Sequence, residues 1–192
     1  PDVRYDEVIT PTATRVVSGY VQGADAGSAT VAAPRLWMGG SVLGAAMLGP
    51  KQRVGSGSAP VPKSGLLTIG RSFNPFGMAT DSFQAAQVVT DLTLGNTGSP
   101  ALPETFWADV ALADLSLVPQ QVQLSAASLL AGGIGRLALS AEHVTQEATS
   151  SLMLPAQGQL SVDAADIQWD GVVHASGGQV NLLARQGAVT FG

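Results

Sequence analysis

The sequence predicts an all-β fold, a right-handed parallel β-helix or solenoid, and three observations carry that expectation. The first is a recurring phrase, Gly-x-φ-x-φ-x-Ala, where φ is Val, Leu or Ile. It reads Gly135-Arg136-Leu137-Ala138-Leu139-Ser140-Ala141, then Gly158-Gln159-Leu160-Ser161-Val162-Asp163-Ala164, then Gly178-Gln179-Val180-Asn181-Leu182-Leu183-Ala184. An earlier copy is Gly27–Ala33; Gln120–Ala126 carries Gln in place of Gly, and Gly65–Gly70 is truncated. Consecutive copies in the second half start 15, 23 and 20 residues apart. Recurrence at this period is the signature of a solenoid, in which no single repeat can bury its own apolar face. The second observation is alternation within each copy, the period-2 signal of a half-buried strand. The third is composition: 45% hydrophobic but only 5% aromatic, with 23 Gly and no Cys, which suits a narrow core of small and branched side chains.

Each repeat reads as strand, corner, strand. The second strand starts three residues after the Ala, near Leu36, Leu129, Val144 and Ile167. The Ala is small enough for a tight corner, and the Gly permits backbone angles that a Cβ would resist. Layers would stack at about 4.8 Å. Inward columns such as Val31, Leu139, Val162 and Leu182 follow. Leu137, Leu160 and Val180 are expected in the core with them, while Ser140, Ser161, Asp163 and Asn181 face solvent.

Along the chain, residues 1–70 hold the first rungs. Val8, Ile9, Val16 and Val17 form short apolar pairs around a turn at Thr10-Pro11, and a rung runs from Gly27 to about Leu48. Residues 49–64 (GPKQRVGSGSAPVPKS) are a Gly/Pro/Ser loop, followed by a strand at Leu66–Ile69. Residues 71–110 are an irregular, aromatic-rich insert containing one strand, Gln87–Leu94. They carry Phe73, Phe76, Phe83, Phe106 and Trp107 with three prolines. Residues 111–192 are regular rungs, with turns at Gly132-Gly133, Asp170-Gly171 and Gly177-Gly178.

The 192 residues make one segment of roughly eight or nine rungs. Net charge is −5 with only Lys51 and Lys63 as lysines, so there is no basic stripe for nucleic acid. No apolar run is long enough for a membrane helix, and the first residues do not read as a signal peptide. The absence of Cys fits a cytosolic protein, or one that crosses a bacterial envelope unfolded. The last residues, Ala188–Phe191, are an uncharged, poor solenoid cap. The expectation is a piece of a larger protein that continues past Gly192 and, in isolation, associates end to end.

The segment Gly19-Tyr20-Val21-Gln22-Gly23-Ala24-Asp25-Ala26-Gly27-Ser28 followed by Val31-Ala32-Ala33-Pro34 resembles filamentous-haemagglutinin-like exoproteins of Gram-negative bacteria, as does Ser176–Ala184. The stretch Gly39–Arg53 looks like an interior module of large members. The resemblance covers most of the chain. It implies a right-handed parallel β-helix, export through an outer-membrane secretion pore by a two-partner system, and a role in adhesion or cell contact. The family's export motif has no match here, since Asn74-Pro75 is followed by Phe76-Gly77. The segment therefore reads as shaft of a secreted, surface-exposed protein.

Other β-helices are polysaccharide lyases or depolymerases that use carboxylates on one strand face for acid–base work or Ca²⁺. Asp163, Asp166 and Asp170 lie close in sequence, with Asp91, Asp109 and Asp114 elsewhere, and Arg136 and Arg185 are the only Lys or Arg in 111–192. Acidic side chains are ordinarily solvated, which is the simpler reading of all six. His143, between Glu142 and Glu147, is placed outward at a corner; His174 stands alone, and 31 residues between the two make no metal spacing. Gly55-Ser56-Gly57-Ser58-Ala59 lacks the strand–turn–helix context of a nucleophile elbow, and no helix follows the Gly-rich runs to cradle phosphate. No catalytic residue, metal or cofactor is expected. The candidate partner contacts are Phe73, Phe76, Phe83, Phe106 and Trp107, for a cell-surface glycan or protein, unless these aromatics pack inward; binding is expected to map to residues 71–110 and not to the regular rungs. A smooth shaft with stacked Ser, Thr, Asn and Gln would favour the adhesive reading. A groove with converging carboxylates and a basic partner would favour the carbohydrate-active enzyme.

Overall fold

The computed structural model describes residues 21–50, 52, 61–70, 89–101 and 120–192. Their strands are β1 (Ser28–Val31), β2 (Gly65–Ile69), β3 (Val89–Gly95), β4 (Gln121–Ser125), β5 (Ile134–Gln146), β6 (Ser151–Leu154), β7 (Gln159–Trp169), β8 (Val172–Ala175), β9 (Gln179–Ala184) and β10 (Val189–Phe191). One short helix, α1 (Ala126–Ala131), lies between β4 and β5. Every strand pair is parallel. An isolated antiparallel bridge joins Ala24 to Met47. Among the described residues the fold is thus all-β, an eight-stranded parallel sheet that curls strongly, with β6 and β8 forming a second, two-stranded sheet.

The curl has a sequence cause. From Leu137 onward the core residues of β5 run Leu137, Leu139, Ala141, then Val144. The step from Ala141 to Val144 breaks the alternation by one residue, so the strand turns while keeping both side chains inward. β7 does the same at Ala164 and Ile167, and β3 at Val89 and Leu92. These are the expected corners, although the strand runs through them unbroken.

Register holds along the inward columns, with one shift between β2 and β5 at Gly65/Leu66. Val31 pairs with Ile69, Ile69 with Leu139, Leu139 with Val162 and Val162 with Leu182. Ala29, Leu67, Leu137, Leu160 and Val180 form a second inward column. Beyond the corner, Val122, Leu92, Val144, Ile167 and Val189 make a third. Leu137, Leu139, Leu160 and Val162 are buried as expected, whereas Leu182 is half-buried and Val180 exposed, because β9 is an outer strand. The 23- and 20-residue steps of the repeat are therefore true layer-to-layer steps.

The 15-residue step is not. β4 pairs with β3 on the side away from β5, so it occupies the layer of β1 although it follows β3 in sequence. The strand expected near Leu129 is α1. Ser125 caps that helix, its Oγ accepting from the Ser128 N–H at 3.2 Å, and Gly132 and Gly133 end it, Gly133 at φ +76°. Ala and Leu are strong helix formers and Ser is a preferred N-cap, so a helix forms where no neighbouring strand dictates otherwise. No strand forms near Leu36 either. The expected strand at Gln87–Leu94 is β3, and it lies inside the sheet between β4 and β5.

The repeat glycines also differ from expectation. Gly135, Gly158 and Gly178 do not adopt positive φ. They are required because consecutive layers touch there. A Cβ on Gly158 would lie 2.9 Å from Gly135 O and 2.7 Å from Leu154 Cβ, and one on Gly178 would strike Gly158 O.

Candidate functional site

Beyond the corner, the outward positions of five strands stack in two rows. One row is Gln121, Asp91, His143 and Asp166. The other is Gln123, Thr93, Thr145, Gln168 and Thr190. The inward column of Val122, Leu92, Val144, Ile167 and Val189 fixes both rows, since alternation sends their neighbours outward. All nine outward side chains are exposed or half-exposed.

Within the first row the polar groups pair. Gln121 Nε2 donates to Asp91 Oδ2 at 3.1 Å. His143 Nδ1 lies 2.6 Å from Asp166 Oδ2, with side chains 44% and 47% exposed. The second row is looser. Gln168 Nε2 donates to Asp170 Oδ2 at 2.6 Å and the Thr190 hydroxyl donates to Ile167 O at 3.4 Å. Glu147 Oε2 accepts from the Asn96 N–H at the margin of this face.

Before the corner the outward face is different in kind. Thr68, Ala138, Ser140, Ser161 and Asp163 are all buried. The expectation that Ser140, Ser161 and Asp163 face solvent is corrected here; Asn181 alone of that set is exposed. Alternation gives a residue's side of the sheet but not what lies over it. Over Asp163 lies Arg185, from the layer above: Nε bonds Oδ1 and Nη2 donates to Oδ2 at 2.6 Å. This fork-to-fork geometry is what a guanidinium offers a carboxylate. The hydrogen bond to Asp163, opposed by burial and aided by its charge, raises the Arg185 pKa above its ordinary value. Arg136 is used elsewhere, its Nε donating to Ser64 O at 2.9 Å. Ser161 Oγ is buried with no partner.

No family model, curated protein or solved structure matches this chain.

The candidate carboxylates are thus parted by the structure. Asp163 is buried and ion-paired, Asp166 is bonded to His143, and Asp170 accepts from Gln168. Asp91 joins the row of Asp166 through register, a relation the sequence reading missed; the offset of two residues from Val89 to Asp91 and from Ala141 to His143 was the available signal. His174 is exposed on β8. Asp109, Asp114, Phe73, Phe76, Phe83, Phe106 and Trp107 lie outside the described residues. Among the described residues, no group of three or more His, Asp or Glu is arranged to hold a metal, and no helix is long and apolar enough to cross a membrane.

The arrangement can do limited chemistry. His143 and Asp166 make a base held by a carboxylate, but no serine, threonine or cysteine nucleophile is bonded to the imidazole among the described residues. The rows offer hydroxyls, amides and carboxylates at a regular spacing of about 4.8 Å, one strand per step.

Proposed function

We propose that the chain is a structural and adhesive shaft segment of a secreted bacterial surface exoprotein, built as a right-handed β-helix that makes cell contact through its outward polar faces. The observation that carries this reading is the stacked row of Gln123, Thr93, Thr145, Gln168 and Thr190 above an unbroken apolar column. A scaffold needs in-register columns and a repeated outer surface, and both are present. A lyase or hydrolase needs carboxylates converging on a substrate with a free base or cation. Asp163 and Arg185 are instead committed to one another, and Arg136 to a backbone carbonyl.

The sequence between and after β5, β6, β7, β8 and β9 supports the coil. Each long, bent strand is followed by a short wall strand, and the next long strand lands in register on the previous one. Export through an outer-membrane pore belongs to the same proposal. So does cell contact through the aromatic stretch of residues 71–110. The first rests on the sequence resemblance, the second on the aromatic-rich composition of a stretch where the repeat fails.

The test is binding of the purified chain to bacterial and epithelial cells, with an assay of turnover on uronic-acid and neutral polysaccharides run in parallel. The proposal expects binding without turnover. Turnover that Asp166→Ala or His143→Ala abolishes would replace it with the enzyme reading.

A further inference from the structure

We propose that the exposed face beyond the corner is a binding platform for an uncharged, extended polysaccharide lying along the stack, one sugar per strand. The assignment rests on the scaffold-and-contact reading above and names its ligand class.

Four features of the face point to this occupant. The first is its repeat. Thr93, Thr145 and Thr190, with Gln123 and Gln168, present a hydroxyl or amide at every strand, at about 4.8 Å intervals over about 19 Å. That repeat is close to the rise per residue of an extended β-linked hexose polymer. A ligand with the same period can repeat one contact many times, so weak contacts sum.

The second is hydrogen-bonding capacity that the described residues leave open at three of the five positions. The side chains of Thr93, Thr145 and Gln123 make no hydrogen bond to another described residue. Hydroxyls and amides that both donate and accept match sugar hydroxyls, which do the same.

The third is charge. The parallel row carries Asp91 and Asp166, and no Lys or Arg lies in residues 89–95, 121–125, 142–147, 165–169 or 189–191. Each carboxylate can accept from sugar hydroxyls, whereas a sulfated or uronic polymer would meet like charge.

The fourth is what the face lacks. Among its outward residues there is no Phe, Tyr, Trp or large aliphatic side chain. Protein interfaces draw most of their energy from such anchors, so a protein partner has nothing here to hold. The apolar side chains of these strands are committed to the core instead, except Phe191 at the end of β10, which is exposed and belongs to the inward column, not to these rows.

The experiment is calorimetric titration of the whole chain with cellohexaose, cellobiose and a hyaluronan oligosaccharide of matching length, beside the cell-binding assay. Cellohexaose should bind at least tenfold more tightly than cellobiose, and hyaluronan should not bind. Thr145→Val and Gln168→Leu should each weaken cellohexaose about 2- to 10-fold, the net worth of one neutral hydrogen bond. Ser28→Ala, an exposed position outside this face, should leave it unchanged. Circular dichroism and thermal midpoints of all variants establish that each is folded. Cell binding without cellohexaose binding overturns the ligand assignment and leaves the contact reading standing. Hyaluronan binding more tightly than cellohexaose, or cellohexaose binding that ignores both variants, also overturns it. Loss of both cell and glycan binding in the parent overturns both readings.

Discussion

Removing Arg185 should destabilise the chain through Asp163, a residue with no expected structural role in the sequence reading. The Asp163 side chain is 7% exposed and the Arg185 side chain 20%. In Arg185→Ala the carboxylate remains buried without its partner. Breaking a buried ion pair by deleting one member costs about 3–5 kcal/mol, because the other charge is left uncompensated. The partial exposure of Arg185 lets water reach the vacated space, so the lower end, about 3 kcal/mol, is expected. For a chain of this size that corresponds to a fall in Tm of about 6–12 °C. Asp163→Asn should cost less, about 1–2 kcal/mol, since Arg185 is partly exposed and stays hydrated while the amide oxygen still accepts one of its bonds. The double variant should be more stable than the sum of the singles predicts, with a coupling energy of about 1–3 kcal/mol. Because the pair raises the Arg185 pKa, its contribution from arginine is complete below the guanidinium's unfolded value and is lost only as pH rises through the folded one. Midpoints between pH 6 and 9 should show no dependence from this source. Urea denaturation of the four proteins measures all of these quantities. Single variants within 0.5 kcal/mol of the parent, or effects that merely add, would refute the inference that this pair is a buried, coupled unit.

Gly158→Ala should lower the urea midpoint although φ there is unstrained, because the new Cβ meets Gly135 O and Leu154 Cβ; a neutral result would show that the layers can separate. Leu160→Ala should cost about 2–5 kcal/mol by lost burial plus a cavity, whereas Leu183→Ala, at an exposed position of the outer strand β9, should change the midpoint by less than about 0.5 kcal/mol. Equal effects would mean the register is wrong. β9 and β10 present an edge opposite β7 that pairs with no described strand, beside exposed Val180, Leu183 and Phe191. The purified chain should therefore self-associate with concentration in sedimentation, and Val180→Lys should suppress it. A monodisperse parent at high concentration would count against that edge as a contact.

Alternation and repeat length were enough to lay out the layers. Alternation within Gly-x-φ-x-φ-x-Ala set which residues of β5, β7 and β9 point inward, and the repeat set the register that puts Leu139 on Val162 on Leu182. The information is local, because a strand's period of two and a fixed repeat length leave few ways to stack. The corner was legible too, in the three-residue gap from Ala141 to Val144. The relations between layers that do not follow chain order emerged only from packing. Gln120–Ala126 reads as one more copy of the phrase, yet β4 pairs with β3 and the chain leaves it through a helix. Nothing local distinguishes it, since pairing depends on which strand edge is free when the chain returns. Burial on the outer face was hidden for the same reason. Asp163 and Ser161 alternate outward as Asp166 and Gln168 do beyond the corner, but over Asp163 the next layer lays an arginine. Alternation fixes a side of the sheet; only the packed neighbours decide whether that side meets water.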